Sequence, residues 1–177
     1  MTIGVIAAME LELENLLPAM EQVERETVSG ITFYKGKAFG KEIVAAVCGI
    51  GKVFAAMCAQ TMILRYQPDC IVNLGVAGSL LPDLHVFEIV AAEQLCQHDM
   101  DTSALGDPVG LVSGVNRVYF PADETMVHLL GQCAEELGFL HRTGTIASGD
   151  QFIHTPEKKQ WIRETFGAAA AEMEGAS

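Results

Sequence analysis

The sequence predicts an α/β protein, a three-layer α/β/α domain built around a largely parallel central sheet. Three observations predict it. Strand-like apolar runs alternate with segments of helical periodicity. The strand-like runs, such as Ile3-Gly-Val5-Ile6 and Cys70-Ile-Val-Asn-Leu74, are short and rich in β-branched residues, as buried strands are. Small-residue turns, Cys48-Gly-Ile-Gly-Lys52 and Gly75-Val-Ala-Gly-Ser79, lie where a strand ends.

The first strand sits within Thr2 to Leu17, TIGVIAAMELELENLL. Ala7 and Ala8 are small, as residues must be where a ligand approaches the backbone closely. A helix carrying Met9, Leu13, Leu16 and Leu17 is expected next, with Glu10, Glu12 and Glu14 in its first turns. That is the carboxyl end of a strand, where ligands bind in open α/β sheets. Two readings stay open. Acidic residues complement the helix dipole, and one of the three could instead act as a general base.

Glu21 to Ser29 is charged and turn-like. Ile31 to Phe39, Gly40 and Ile43 to Val47 read as a β-hairpin. A helix follows Gly51, with Val53, Met57, Gln60 and Leu64 at helical spacing and Ala55, Ala56 and Ala59 beside them. Pro68 and Asp69 break it. A strand is expected from Val86 to Leu95, and an irregular stretch from Gln97 to Gly114; long loops of this kind serve function or interfaces. Asp123 caps a helix that turns Met126, Leu129, Leu130 and Cys133 inward, and Gly138 ends it. His141 to Ala147 is a strand. Thr155-Pro156-Glu157 opens a helix with a cap, a proline at the first position and an acid. Gly167 stops it, and Ala168 to Ala171 begins a last strand.

Composition bounds the function. At 177 residues the chain reads as one domain, 1–177, with a substantial core. The 23 acidic against 11 basic residues leave a net charge of −12, which argues against nucleic-acid binding. No apolar run has the length of a membrane span, and no secretory leader is evident. The five scattered cysteines read as reduced packing residues in a cytoplasmic protein.

Several stretches could carry chemistry. Gly49-Ile-Gly51-Lys52 could cradle a phosphate or simply let a strand and helix pack closely. Gly75-Val-Ala-Gly78 could turn its N–H groups to a ligand or form only a tight turn. His98-Asp99-Met100-Asp101 has metal-ligating types but no second cluster to complete a site, so no metal is expected. Phe152 could stack on a flat base or anchor its loop. Glu174 could accept two hydrogen bonds from vicinal hydroxyls or complement a helix start.

Taken together and in order, IGVIAAMELE, CGIGKV, NLGVAG, SGDQFI and AEMEG resemble the 5′-methylthioadenosine/S-adenosylhomocysteine nucleosidases of the purine nucleoside phosphorylase-like superfamily. The resemblance runs along the whole chain. It implies a phosphorylase/hydrolase-like α/β/α sandwich with a mixed, partly barrel-like sheet. The implied reaction is hydrolysis of the N-glycosidic bond of methylthioadenosine and S-adenosylhomocysteine, with no cofactor, in a cytoplasmic homodimer. By position, Glu12 corresponds to the base that activates water, in an apolar pocket that would raise its pKa. Met173 and Glu174 correspond to the ribose-binding pair. Phe152 corresponds to the residue stacked on adenine, and the Ile153 backbone would pair with the base edge. Ala8 and Gly78 would line the pocket, and Leu105 would wall the partner's alkylthio site. Val76 stands where many members have a serine, which would remove one polar contact. The family's acid, an aspartate, would lie past Ser177, so one further strand and helix are expected and the given chain is expected to be impaired.

Three alternatives stay open. The related phosphorylases hold phosphate with arginines, whereas Arg25, Arg65, Arg117 and Arg142 lie outside the five motifs and three carboxylates crowd the first turn. That field disfavours phosphate, and with it a purine nucleoside phosphorylase. A futalosine-type nucleoside hydrolase would differ around Leu105. A module that binds adenine without turnover is the alternative of another class.

Overall fold

The structure, a computed structural model, describes residues 1–177 as two units, residues 1–76 with Ser177, and residues 77–176. In the first unit, β1 (Thr2–Ala7), β2 (Glu21–Val28), β3 (Ile31–Ala38), β4 (Lys41–Val47) and β5 (Cys70–Asn73) form one mixed sheet in the order β2-β3-β4-β1-β5. β1 lies parallel to both β4 and β5, while the β2-β3-β4 stretch is antiparallel. Alternation along β1 and β4 sends Val5, Ala7, Ile43 and Ala45 to one face and Ile6, Val44 and Ala46 to the other. Both faces are covered. One packs beneath α2 (Lys52–Tyr66) and the other beneath Leu13, Leu16 and Leu17.

Four expectations change here. The charged segment after residue 20 is a strand, β2, because its row of Glu and Arg side chains lies on the sheet's exposed edge, where charge discourages further pairing. The helix after Met9 is instead a 3-10 turn (Glu10–Leu13) and a single α turn, α1 (Leu16–Ala19). The buried face of α2 is Ala55, Cys58 and Met62, whereas Val53, Met57 and Leu64 are exposed. Small side chains let the helix axis approach the sheet. Gly4 in β1 answers them: a Cβ there would stand 2.5 Å from the Met62 sulfur. β5, read as buried, is a partly exposed edge.

In the second unit, β6 (Gly78–Ser79), β7 (Ile89–Gln97), β8 (Tyr119–Pro121), β9 (His141–Ser148) and β10 (Ala168–Glu172) form a second mixed sheet, ordered β6-β10-β9-β7-β8. β7, β9 and β10 run parallel, and the outer strands are antiparallel to them. β8 had no periodic signal because it has only three residues. α3 (Glu124–Glu136) packs on β7 and β9, and α4 (Pro156–Phe166) on β10 and β9. Their caps are those the sequence marks: Asp123 accepts the Met126 N–H at 2.9 Å, and Thr155 accepts that of Lys158. Gly167 ends α4 with φ +63°, a conformation that favours glycine. The inner face of α3 is centred on Ala134; Leu129, Leu130 and Cys133 are exposed. Ile162 and Phe166 join Leu80, Cys96, Ala147, Ala168 and Ala171 in this unit's core. The α/β expectation therefore holds, with the strands divided between two mixed sheets. No helix is long and apolar enough to cross a membrane.

Candidate active site

In the first unit, the side chain that turns inward at the end of β1 is Glu12. Glu10 and Glu14 point to solvent. Glu12 Oε2 accepts the N–H groups of Ala8 at 2.9 Å and Met9 at 3.0 Å. Glu12 is the third residue of the 3-10 turn, and reaching back to the Met9 N–H is the move of a helix-capping carboxylate. Capping explains only half of the arrangement. Glu12 Oε1 also accepts the backbone N–H of Val76 at 3.0 Å, in the loop that leaves β5. The backbone N–H of Leu74 binds the carbonyl of Ile6 at 2.9 Å, so the loop departs in register with β1. Gly75 leaves the carboxylate room for this contact: a Cβ there would stand 2.7 Å from Glu12 Oε1, so the carboxylate would have to shift.

Ala8 thus joins Glu12 directly. The carboxylate's hydrogen-bond partners are three backbone N–H donors. At position 76 it is the backbone that reaches Glu12; the Val76 side chain is 73% exposed.

In the second unit, Met173 and Glu174 follow β10 in a tight turn, and Glu174 is buried. Gly78 pairs with Ala171, the residue before the last of that strand, so it lies beside the same strand end. Ile153 packs against the core formed by Ile162 and Phe166. Phe152 next to it is 81% exposed, its ring parallel to that of His154 with centroids 6.4 Å apart. Leu105 closes a 3-10 turn (Ser103–Leu105) in the long loop and is 84% exposed. Neither aromatic nor leucine is needed by the core of this unit.

Two residues escaped the sequence reading. Ser148, fully buried at the end of β9, and Glu172, at the end of β10, are register partners on neighbouring parallel strands and are hydrogen-bonded to each other. The available signal was a carboxylate closing a strand of four alanines. His98 and Asp99, the start of the metal-type stretch, pack instead around the β9 exit. A Cβ on Gly149 would run into the His98 ring, and Asp99 accepts the Asp150 N–H at 2.8 Å.

A profile of the phosphorylase superfamily matches residues 2–177. An aminodeoxyfutalosine nucleosidase of Campylobacter jejuni is 37% identical over 177 residues, covering 100% of this chain and 77% of that protein. A 5′-methylthioadenosine/S-adenosylhomocysteine nucleosidase of Geobacillus kaustophilus is 38% identical over 179 residues, covering 100% and 76%. The crystal structure of a Helicobacter pylori nucleosidase mutant with 5′-methylthioadenosine in its active site superposes with a TM-score of 0.94 at 36% identity, over 99% of this chain and 76% of that one. The native futalosine hydrolase of the same organism also gives 0.94 at 36% identity, over 99% and 75%. With a profile that spans residues 2–177 and relatives 37% and 38% identical along the whole chain, the protein belongs to the phosphorylase superfamily, in the branch that holds the methylthioadenosine/S-adenosylhomocysteine and aminodeoxyfutalosine nucleosidases.

Proposed function

We propose that the protein hydrolyses the N-glycosidic bond of adenine nucleosides substituted at the 5′ position, releasing adenine, with methylthioadenosine, S-adenosylhomocysteine and aminodeoxyfutalosine as the candidate substrates. The observation that carries the reading is the fixed carboxylate of Glu12. A carboxylate offers about four acceptor positions, and backbone N–H groups fill three of them here. The remaining one would take the proton of an attacking water. Adenine is a poor leaving anion, so a ring nitrogen must gain a proton, from a general acid or solvent, as the C1′–N9 bond breaks, while water forms the new C1′–O bond and gives its proton to Glu12. The sugar then develops oxocarbenium character, as in glycoside hydrolysis. A positioned general base contributes about 10²–10⁴-fold to such a step. In this reading Glu174 and Met173 hold the ribose hydroxyls, Phe152 stacks on the base, and the Ile153 backbone pairs with its edge. Ala8 and Gly78 leave room for the ligand.

Relatives of both nucleosidase kinds match at 37% and 38% identity, which is why the 5′ substituent is left as a class. We propose a homodimer as well. The exposed apolar residues Val53, Phe54, Met57 and Leu64 of α2 support it, as does Leu105, which would wall the partner's site.

The test is adenine release from methylthioadenosine with and without phosphate. Turnover that does not depend on phosphate is expected, slowed to the extent that no general acid protonates the leaving adenine. Strict dependence on phosphate would replace the hydrolase with a phosphorylase, and adenine binding without turnover would leave a binding module.

A further inference from the structure

The turn that carries Met173 and Glu174 is held by an unusually complete set of bonds. Glu172 Oε2 accepts two successive backbone N–H groups, from Glu174 at 2.9 Å and Gly175 at 2.7 Å. The next N–H, from Ala176, ends on Ser148 Oγ at 2.8 Å. The Ala176 carbonyl accepts the Gln97 side-chain amide at 2.7 Å. Ser148 Oγ and Glu172 Oε1 are bonded to each other. An ionised carboxylate only accepts, so the single Ser148 hydroxyl proton must point to Glu172 while its lone pair takes the Ala176 N–H. The result is a directed chain, Ala176 N–H to Ser148 O–H to Glu172, in which each bond polarises the next.

Three consecutive amides, 174 to 176, therefore end on two side chains from neighbouring parallel strands. Gly149 N–H to the Glu172 carbonyl, at 3.2 Å, joins the same strand ends. Nothing about closing a strand requires so many charge-assisted bonds. Their common effect is to fix the backbone at Glu174, and with it the direction of a buried carboxylate.

We propose that Glu172 and Ser148 are positioning residues that set the Met173–Glu174 segment for gripping the vicinal hydroxyls of the substrate ribose. The inference rests on the nucleosidase reading above. Neither residue touches the reacting atoms; both act through Glu174. Glu172→Gln keeps the size but replaces an acceptor with an amide donor facing Ser148, so the directed chain must reverse or break. Ser148→Ala removes the link, and Ser148→Thr keeps the hydroxyl.

The experiment measures kcat and KM of the full chain and the three variants on methylthioadenosine and on its analogue lacking the 2′- and 3′-hydroxyls, with the dissociation constant of adenine alongside. For Glu172→Gln and Ser148→Ala, kcat/KM on methylthioadenosine is expected to fall about tenfold or more, carried by KM, and on the analogue by less than about twofold. Adenine affinity stays unchanged, and Ser148→Thr recovers most of the loss. Equal losses on both substrates, or no loss on either, would overturn the clamp while the wild-type activity left the function reading intact. Should Glu172→Gln fail to fold, the Ser148→Ala and Ser148→Thr pair carries the same comparison. Should the wild-type chain bind without turnover, the same comparison is read in the dissociation constants of methylthioadenosine and its analogue; a chain that neither turns over nor binds any adenine nucleoside would remove the function reading first and the clamp with it.

Discussion

Glu12 Oε1 accepts the backbone N–H of Val76, 64 residues further along the chain, at 3.0 Å. This one bond separates a carboxylate that merely caps its own turn from one held in a fixed direction by a second strand end. It also makes Gly75 a structural condition for Glu12. Alanine at position 75 would place its Cβ 2.7 Å from Glu12 Oε1 and push the carboxylate aside. A misplacement of about 1 Å can cost on the order of 10²-fold in rate, so Gly75→Ala is expected to lose activity on that scale. Gly114→Ala, with nothing within 4 Å of its added methyl, is the control and should be near wild type. Steady-state kinetics on methylthioadenosine compares them.

The exposed apolar face of α2 predicts assembly. Replacing Met57 and Leu64 with glutamate puts charge on a face that the unit's own core does not use. Sedimentation velocity is expected to show a dimer for the wild type and a monomer for the double variant. A wild-type monomer would remove the dimer proposal.

Cysteine reactivity follows burial. The thiols of Cys58 and Cys96 are pushed up to about 12 by burial, with the neighbouring Cys48 adding to the effect at Cys58. Both should resist thiol reagents at neutral pH until the chain unfolds. Cys133 is exposed and should react first. Titration with a chromogenic disulfide is expected to show a fast phase that Cys133→Ser abolishes.

A pH-dependent contribution comes from Glu26 on β2. Arg65 and then Tyr66 hydrogen-bond its carboxylate and hold its pKa below the ordinary 4.5. A lowered folded pKa means stability that is present above the unfolded value and lost as pH falls below about 4.5 through the folded one. Glu26→Gln is therefore expected to lower Tm at pH 7, and the gap to wild type should close in acid. A gap that persists unchanged at low pH would show that packing, not charge, links α2 to the strand.

What was legible in the sequence was whatever has a local physical cause. Thr155-Pro156 and Asp123 mark helix starts because cap geometry depends on the residues themselves, and Gly167 marks a stop because its φ is positive. The buried face of α2 was not legible. Apolar residues surround that helix, and the choice of Ala55, Cys58 and Met62 depends on how closely the sheet lets it approach. Strand β2 was hidden because an edge strand carries charges that look like a loop. At the site, spacing left Glu10, Glu12 and Glu14 equivalent, and only the resemblance singled out Glu12. The bond to Val76 sets Glu12 apart from Glu10 and Glu14, and it could not be read locally because its partner lies at the end of another strand. The bond between Ser148 and Glu172 was missed for the same reason: it depends on the register between β9 and β10.

The most direct test of the account compares Glu12→Gln with wild type in phosphate-free buffer, following adenine release from methylthioadenosine and measuring adenine affinity by calorimetry. The amide keeps the shape of the side chain but cannot take a proton from water. Turnover is expected to fall by about 10²–10⁴-fold with adenine affinity unchanged. Turnover within about twofold of wild type would contradict the assignment of Glu12 as the base.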